Sequence, residues 1–134
     1  MARPVNDDAE IVAAAKALIA DHERRASEGD LEKIVANFAQ DIVMLAADAP
    51  LVVGMQAFRE FYTGLLQTGT WHFVHDYTGA EVMGDSVVLY GVARGTLEPV
   101  AGAAESFANN FIITVKQTAS GPRIWRAAFA AAGE

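Results

Sequence analysis

The sequence predicts an α+β fold: a cone-shaped, curved antiparallel sheet covered on one face by three N-terminal helices. Three observations carry that reading. Apolar residues recur at three- and four-residue spacing through the first half of the chain, as in amphipathic helices. After Gly69 the pattern changes to strand-like alternation interrupted by turn residues. Three helices followed by a run of antiparallel strands is the order in which helices gather on one side of a sheet. At 134 residues the chain is expected to form one domain, residues 1–134, burying roughly two-thirds of its unfolded surface.

The first helix is expected from about Asp7 to Ala26, with Ile11, Ala15, Leu18, Ile19 and His22 on one face and Asn6 or Asp7 as N-cap. Gly29 stops it and Asp30 starts the next, since Gly tolerates a left-handed cap and Asp oxygens accept orphan amides. The second helix, Asp30 to about Ala39, presents Leu31, Ile34, Val35 and Phe38. A strand from Ile42 to Ala47, a break at Asp48-Ala49-Pro50 and the apolar run Leu51-Val52-Val53 follow. Gly54 opens the third helix, whose stripe is Phe58, Phe61, Tyr62, Leu65 and Leu66. Gly64 lowers its propensity by about 1 kcal/mol relative to Ala, which loosens the last turn.

Trp71 to Tyr77 alternates, and Met83-Gly84-Asp85-Ser86 is a hairpin turn with Gly where positive φ is needed. Val87 to Leu97 and Glu105 to Lys116 are the next strands. The turn at Thr118 to Pro122 leads to the last one, Arg123 to Phe129. Val87 to Ala93 and Phe111 to Val115 are apolar on both alternating sets. A sheet with helices on one face only should carry one polar set. The open face is therefore expected to meet a second copy of the chain, forming a homodimer.

Composition narrows the function classes. Net charge is −7 and the longest basic run is Arg24-Arg25, so a nucleic-acid backbone would be repelled. Mean hydropathy is +0.19, yet no apolar run approaches the roughly 18 residues needed to span a bilayer. Membrane association is not expected. The first residues lack the apolar core of a signal peptide, and there are no cysteines, so a reducing cytoplasm is the expected location.

Four residues are candidates for chemistry. His22 lies on the apolar stripe of the first helix, where it is either a satisfied core histidine or a pocket donor or base. Asp48 is either a solvated turn residue or, if it faces an apolar cavity, a base of raised pKa. Asn109 and Asn110 open an apolar strand and point to opposite faces, so one amide, taken as Asn109, faces the interior and needs a partner or a ligand. Tyr62 is on the buried stripe of the third helix, and its phenol needs a hydrogen-bond partner, which His22 supplies if the two helices pack.

Large apolar side chains are read as core or as lining for a small apolar ligand. From the helical half these are Phe38, Phe58 and Phe61; from the sheet they are Trp71, Phe73, Tyr90, Val92, Phe111, Trp125 and Phe129. His75 and Arg94 are polar strand residues at the cone mouth or facing solvent. His72 and His75, three apart, fall on opposite faces of a strand and do not form a metal pair, so no metal site is expected. No phosphate-cradling loop or nucleophile elbow occurs.

The run Gly29-Asp30-Leu31-Glu32-Lys33-Ile34-Val35-Ala36-Asn37-Phe38 and the helix Gly54-Met55-Gln56-Ala57-Phe58-Arg59-Glu60-Phe61-Tyr62 resemble the nuclear transport factor 2-like (cystatin-like) superfamily, within it the SnoaL-like and ketosteroid isomerase branch. With the closing Ile124-Trp125-Arg126 strand, the resemblance covers most of the chain. It implies the cone fold and an apolar cavity, but this scaffold hosts enzymes and non-catalytic binders alike. Ketosteroid isomerases use a general-base aspartate, plus a tyrosine and a protonated aspartic acid that hold the dienolate oxygen. Aligned on the Gly29-Asp30 corner, the tyrosine position carries His22, the base position Ala46 and the acid position Asn109, while a supporting tyrosine is retained as Tyr62.

Loss of a general base lowers rates by ~10²–10⁴-fold, so classical ketosteroid isomerase activity is not expected. Two functions stay open. One is proton-transfer chemistry of isomerase or dehydratase type on a carbonyl- or hydroxyl-bearing apolar substrate, without metal or organic cofactor. The other is a non-catalytic ligand-binding or dimerisation module.

Overall fold

Helix α1 (Val5–Glu28) and helix α3 (Met55–Gln67) pack on one face of a curved six-stranded sheet. In this computed structural model the backbone is described for residues 5–132 and the side chains for residues 8–132. The expected caps Asn6 and Asp7 lie outside the described side chains, and α1 begins before them. Its inner face buries Ala15, Ile19, His22 and Ala26. Gly29 (φ +72°) ends it, donating its amide to the Arg25 and Ala26 carbonyls at 3.1 and 3.2 Å. Asp30 then caps α2 (Leu31–Val35) by accepting from the Lys33 amide.

α2 is one turn long rather than reaching Ala39. Asn37 leaves the helix and donates its side-chain amide to Asp21 Oδ2 at 3.1 Å. The chain turns there, so that Phe38 stacks against Phe58, ring centroids 4.3 Å apart, and starts a strand. Burial of that ring against two helices overrides the local helical period.

The strands are β1 (Phe38–Leu45), β2 (Val52–Val53), β3 (Gly69–Met83), β4 (Ser86–Pro99), β5 (Glu105–Thr118) and β6 (Gly121–Ala131), in the order β2-β1-β6-β5-β4-β3. Every pairing is antiparallel except β1 with β6, which is parallel and makes the sheet mixed. The β3–β4 hairpin turns at Gly84 (φ +64°), as the sequence indicates. α3 continues through Gly64 to Gln67.

Register fixes what faces the helices. Rows across β3, β4 and β5 on the inner face read Tyr77-Gly91-Phe111, His75-Ala93-Asn109 and Phe73-Gly95-Phe107. The inward residues of β4 thus shrink along the strand, from Val87 and Leu89 to Gly91, Ala93 and Gly95. A Cβ at Gly91 or Gly95 would collide with the carbonyl oxygens of Asp76 or His72, so glycine lets β3 fold closely over β4 there. Around Val87, Leu89, Ile113 and Val115 the core is filled. Beyond them, small residues leave it open.

Candidate functional site

The opening is a cavity of about 360 Å³ between α1, α3 and the inner face of the sheet. Its wall combines the aromatic rings Phe38, Phe61, Trp71, Phe73, Phe107 and Phe129 with the small side chains Ala46, Ala47, Ala49, Ala93 and Ala127. The rings give apolar contact and the alanines give room. Four polar side chains line it: His22, Tyr62, His75 and Asn109.

His22 projects from α1 with 7% of its surface exposed, edge-on to Phe38 at 4.9 Å. Its Nε2 lies 3.2 Å from the Tyr62 hydroxyl, and its buried Nδ1 has no partner among the described residues. Burial, aided by the nearby His75, lowers its pKa from 6.5 to about 3, so the ring is neutral. Burial raises the pKa of the Tyr62 phenol, which keeps its proton. A buried lone pair is tolerated better than a buried orphan N–H. The hydrogen is therefore placed on Nε2, donating to the Tyr62 oxygen and leaving the phenol hydrogen free to donate elsewhere.

His75 is buried too, not solvent-facing. Its Nδ1 lies 2.7 Å from Glu23 Oε2, and the same oxygen accepts the His75 backbone amide at 2.8 Å. β3 is an edge strand, so without the α1 carboxylate that amide would lack a partner. Asn109 sits on the same row, across Ala93, and its side-chain amide makes no hydrogen bond among the described residues.

Asp48 lies apart from this cluster. It is exposed, at φ +57° in the turn after β1, a conformation Asp tolerates, while its neighbours Ala47 and Ala49 line the cavity. Of the expected lining, Phe38, Phe61, Trp71, Phe73 and Phe129 reach the cavity. Phe58 is fully buried behind it, and Phe111 packs below it against His75 and Tyr77. Tyr90 and Val92 are on the outer face, Tyr90 lying over Gly79. Trp125 is outward as well. A register shift pairs Ile124 with Val115 but Arg126 with Thr114, which leaves Trp125 as an extra residue. Its indole donates to Asp41 at 3.1 Å, and the Lys116 and Arg126 cations lie over its ring.

Arg94 pairs with Asp76 on the outer face, and His72 with Glu98. Among the described residues, no three His, Asp or Glu side chains are grouped to hold a metal ion. Glu23, Phe107 and the wall alanines Ala47, Ala49, Ala93 and Ala127 are not singled out by periodicity or motif, whereas Ala46 is marked by the resemblance. Two signals were available for the pair: His75 shares its alternation with Trp71 and Phe73, and Glu23 follows Ile19 by four residues.

The sequence profile of the SnoaL-like domain matches residues 19–127, most of the chain. The chain belongs to the SnoaL-like domain family. No curated protein sequence matches this SnoaL-like domain, but solved structures match its fold. A ketosteroid isomerase-like protein from Erwinia carotovora atroseptica SCRI1043 is 19% identical, with TM-score 0.78 over 98% of this chain and 100% of that one. A nuclear transport factor 2-like superfamily protein from Salmonella enterica serovar Typhimurium LT2 is 13% identical, with TM-score 0.84 over 94% of each chain. A protein provisionally named a scytalone dehydratase, from Novosphingobium aromaticivorans DSM 12444, is 11% identical, with TM-score 0.83 over 91% of this chain and 84% of that one. At these identities the likeness is one of fold. In this SnoaL-like domain the site itself offers two neutral donors, the Tyr62 hydroxyl and the Asn109 amide, and one imidazole held by a carboxylate.

Proposed function

We propose that the protein binds a small, largely apolar molecule bearing a carbonyl or hydroxyl and catalyses proton transfer on it, of isomerase or dehydratase type, without a metal or organic cofactor. One observation carries the reading. An apolar cavity in the size range of small-ligand sites holds a few convergent polar groups, and the Asn109 amide among them has no partner among the described residues. A ligand oxygen would complete that amide and accept from Tyr62, whose phenol is kept protonated by burial. Charge developing on such an oxygen is stabilised by donors already in place. Two of the similar structures carry names of isomerase-like and dehydratase type, which agrees with this chemistry.

The non-catalytic reading has an observation of its own. Ala46 lines the cavity where the resemblance places a general base, and a methyl group takes no proton. The test is calorimetric binding of 2-naphthol and of naphthalene, which lacks the hydroxyl. Tighter binding of 2-naphthol that falls to the naphthalene level in Tyr62→Phe/Asn109→Leu supports the site. Equal binding of the two in the wild type, or none, removes it.

A further inference from the structure

We propose that His75 is the proton acceptor of this cavity and that Glu23 is the positioning residue that fixes its acting tautomer. The proposal rests on the ligand site proposed above and names the base that site needs. Glu23 Oε2 accepts from both the Nδ1 and the backbone amide of His75, at 2.7 and 2.8 Å. A carboxylate accepts only, so the neutral imidazole carries its hydrogen on Nδ1 and presents a bare lone pair at Nε2. That nitrogen has no partner among the described residues, and it is not among the buried atoms sealed from access. Phe111, edge-on at 4.8 Å, and Phe73, at 5.8 Å, restrain the ring.

His22 offers no equivalent. Its Nε2 is engaged with Tyr62, and its Nδ1 is sealed, with no partner among the described residues. Its basicity is also depressed, with a pKa of about 3, which makes it a weak proton acceptor. Its part is to orient the Tyr62 phenol.

Register supplies the placement. His75 and Asn109 flank Ala93 on one inner row, so their Cα atoms are two strand spacings apart, roughly 10 Å. The Ala93 methyl leaves space between two longer polar side chains. A substrate over Ala93 would meet His75 on one side and Asn109 on the other.

In the step, the Nε2 lone pair takes the proton from a carbon next to a carbonyl. The C–H electron pair moves into the C–C bond, and the carbonyl π pair moves to oxygen, which Tyr62 and Asn109 hold as an enolate. From a β,γ-unsaturated carbonyl the enolate is conjugated with the C=C bond, and His75 returns the proton to the γ-carbon as the carbonyl re-forms, an isomerisation. From a β-hydroxy carbonyl the enolate expels the hydroxyl, which takes the proton from His75 and leaves as water. No oxidant or further reactant enters.

The test uses 5-nitrobenzisoxazole, a planar apolar C–H acid. A base removes its ring proton, the N–O bond breaks, and a coloured nitrile phenolate forms. Wild type is expected to accelerate this ring opening. His75→Ala should lose ~10²–10⁴-fold in rate, recover in part with added imidazole, and still bind 2-naphthol. Glu23→Gln should lower kcat by about 10-fold or more at unchanged KM, because its amide can donate to the imidazole and stabilise the other tautomer. Nitrogen-15 NMR at mildly alkaline pH should show a bare Nε2 in the wild type and a tautomer mixture in Glu23→Gln. If 2-naphthol binds but wild type gives no acceleration, or the rate survives in His75→Ala, the base assignment is overturned and the ligand site stands. Absence of 2-naphthol binding in the wild type overturns both.

Discussion

Tyr62 Oη and His22 Nε2, forty residues apart in sequence, meet at 3.2 Å between α3 and α1. Both side chains are buried, and Phe38 and Phe58 close around them. The pair therefore joins two helices and presents a phenol to the cavity at once.

Removing one partner strands the other. Tyr62→Phe should destabilise the protein by about 1–3 kcal/mol, because His22 is left with no hydrogen bond at either nitrogen. His22→Leu combined with Tyr62→Phe should lose less than the sum of the singles. Urea unfolding of the four proteins measures this coupling, and strict additivity would contradict it.

The depressed basicity of His22 sets a pH dependence. The unfolded chain protonates this residue around 6.5 and the folded one only around 3, so between those values the unfolded state binds more protons. The stabilising contribution is complete above 6.5 and is lost as pH falls toward 3, at up to ~1.4 kcal/mol per pH unit. The stability difference between wild type and His22→Leu should shrink across that window. A difference that stays flat there would show that His22 charges freely in the fold.

Ala127 is a small residue on the cavity wall. Ala127→Leu places its added atoms in empty space, so stability should hold or rise, by up to about 2 kcal/mol as cavity filling does. Binding of 2-naphthol should fall by ~10-fold or more. Thermal unfolding and calorimetry on the same sample separate the two effects; unchanged affinity would place the ligand elsewhere.

Val74 and Ile112 stand on the outer sheet face with 56% and 55% of their surfaces exposed. The expected homodimer through this face should sediment as two chains and become monomeric in Val74→Glu/Ile112→Lys, with 2-naphthol affinity retained. A wild type that sediments as one chain ends this expectation.

Legibility in the sequence follows local physics. The α1 stripe, the Gly29–Asp30 corner and the Gly84 hairpin rest on periodicity and capping, and each appears as read. The end of α2 does not, because burial of Phe38 against His22 and Phe58 outweighs one further helical turn. The cavity wall is divided in the same way. Phe61 and Tyr62 lie on a helix whose apolar face is one-sided, so their direction is readable. Tyr90 and Val92 lie on a strand that is apolar on both sides, where alternation gives two equally good faces and cannot choose between them.

By itself, then, the sequence determined the elements, their order, and which helical residues turn inward, because a 3.6-residue period defines one face. The tertiary structure alone decided the parallel β1–β6 pairing, and it set strand parity through the irregularities at Tyr77/Gly79 and Thr114/Val115. It also decided that Glu23 meets His75, 52 residues away. A one-residue shift in a strand exchanges its two faces, and only contacts distant in sequence fix which face is buried.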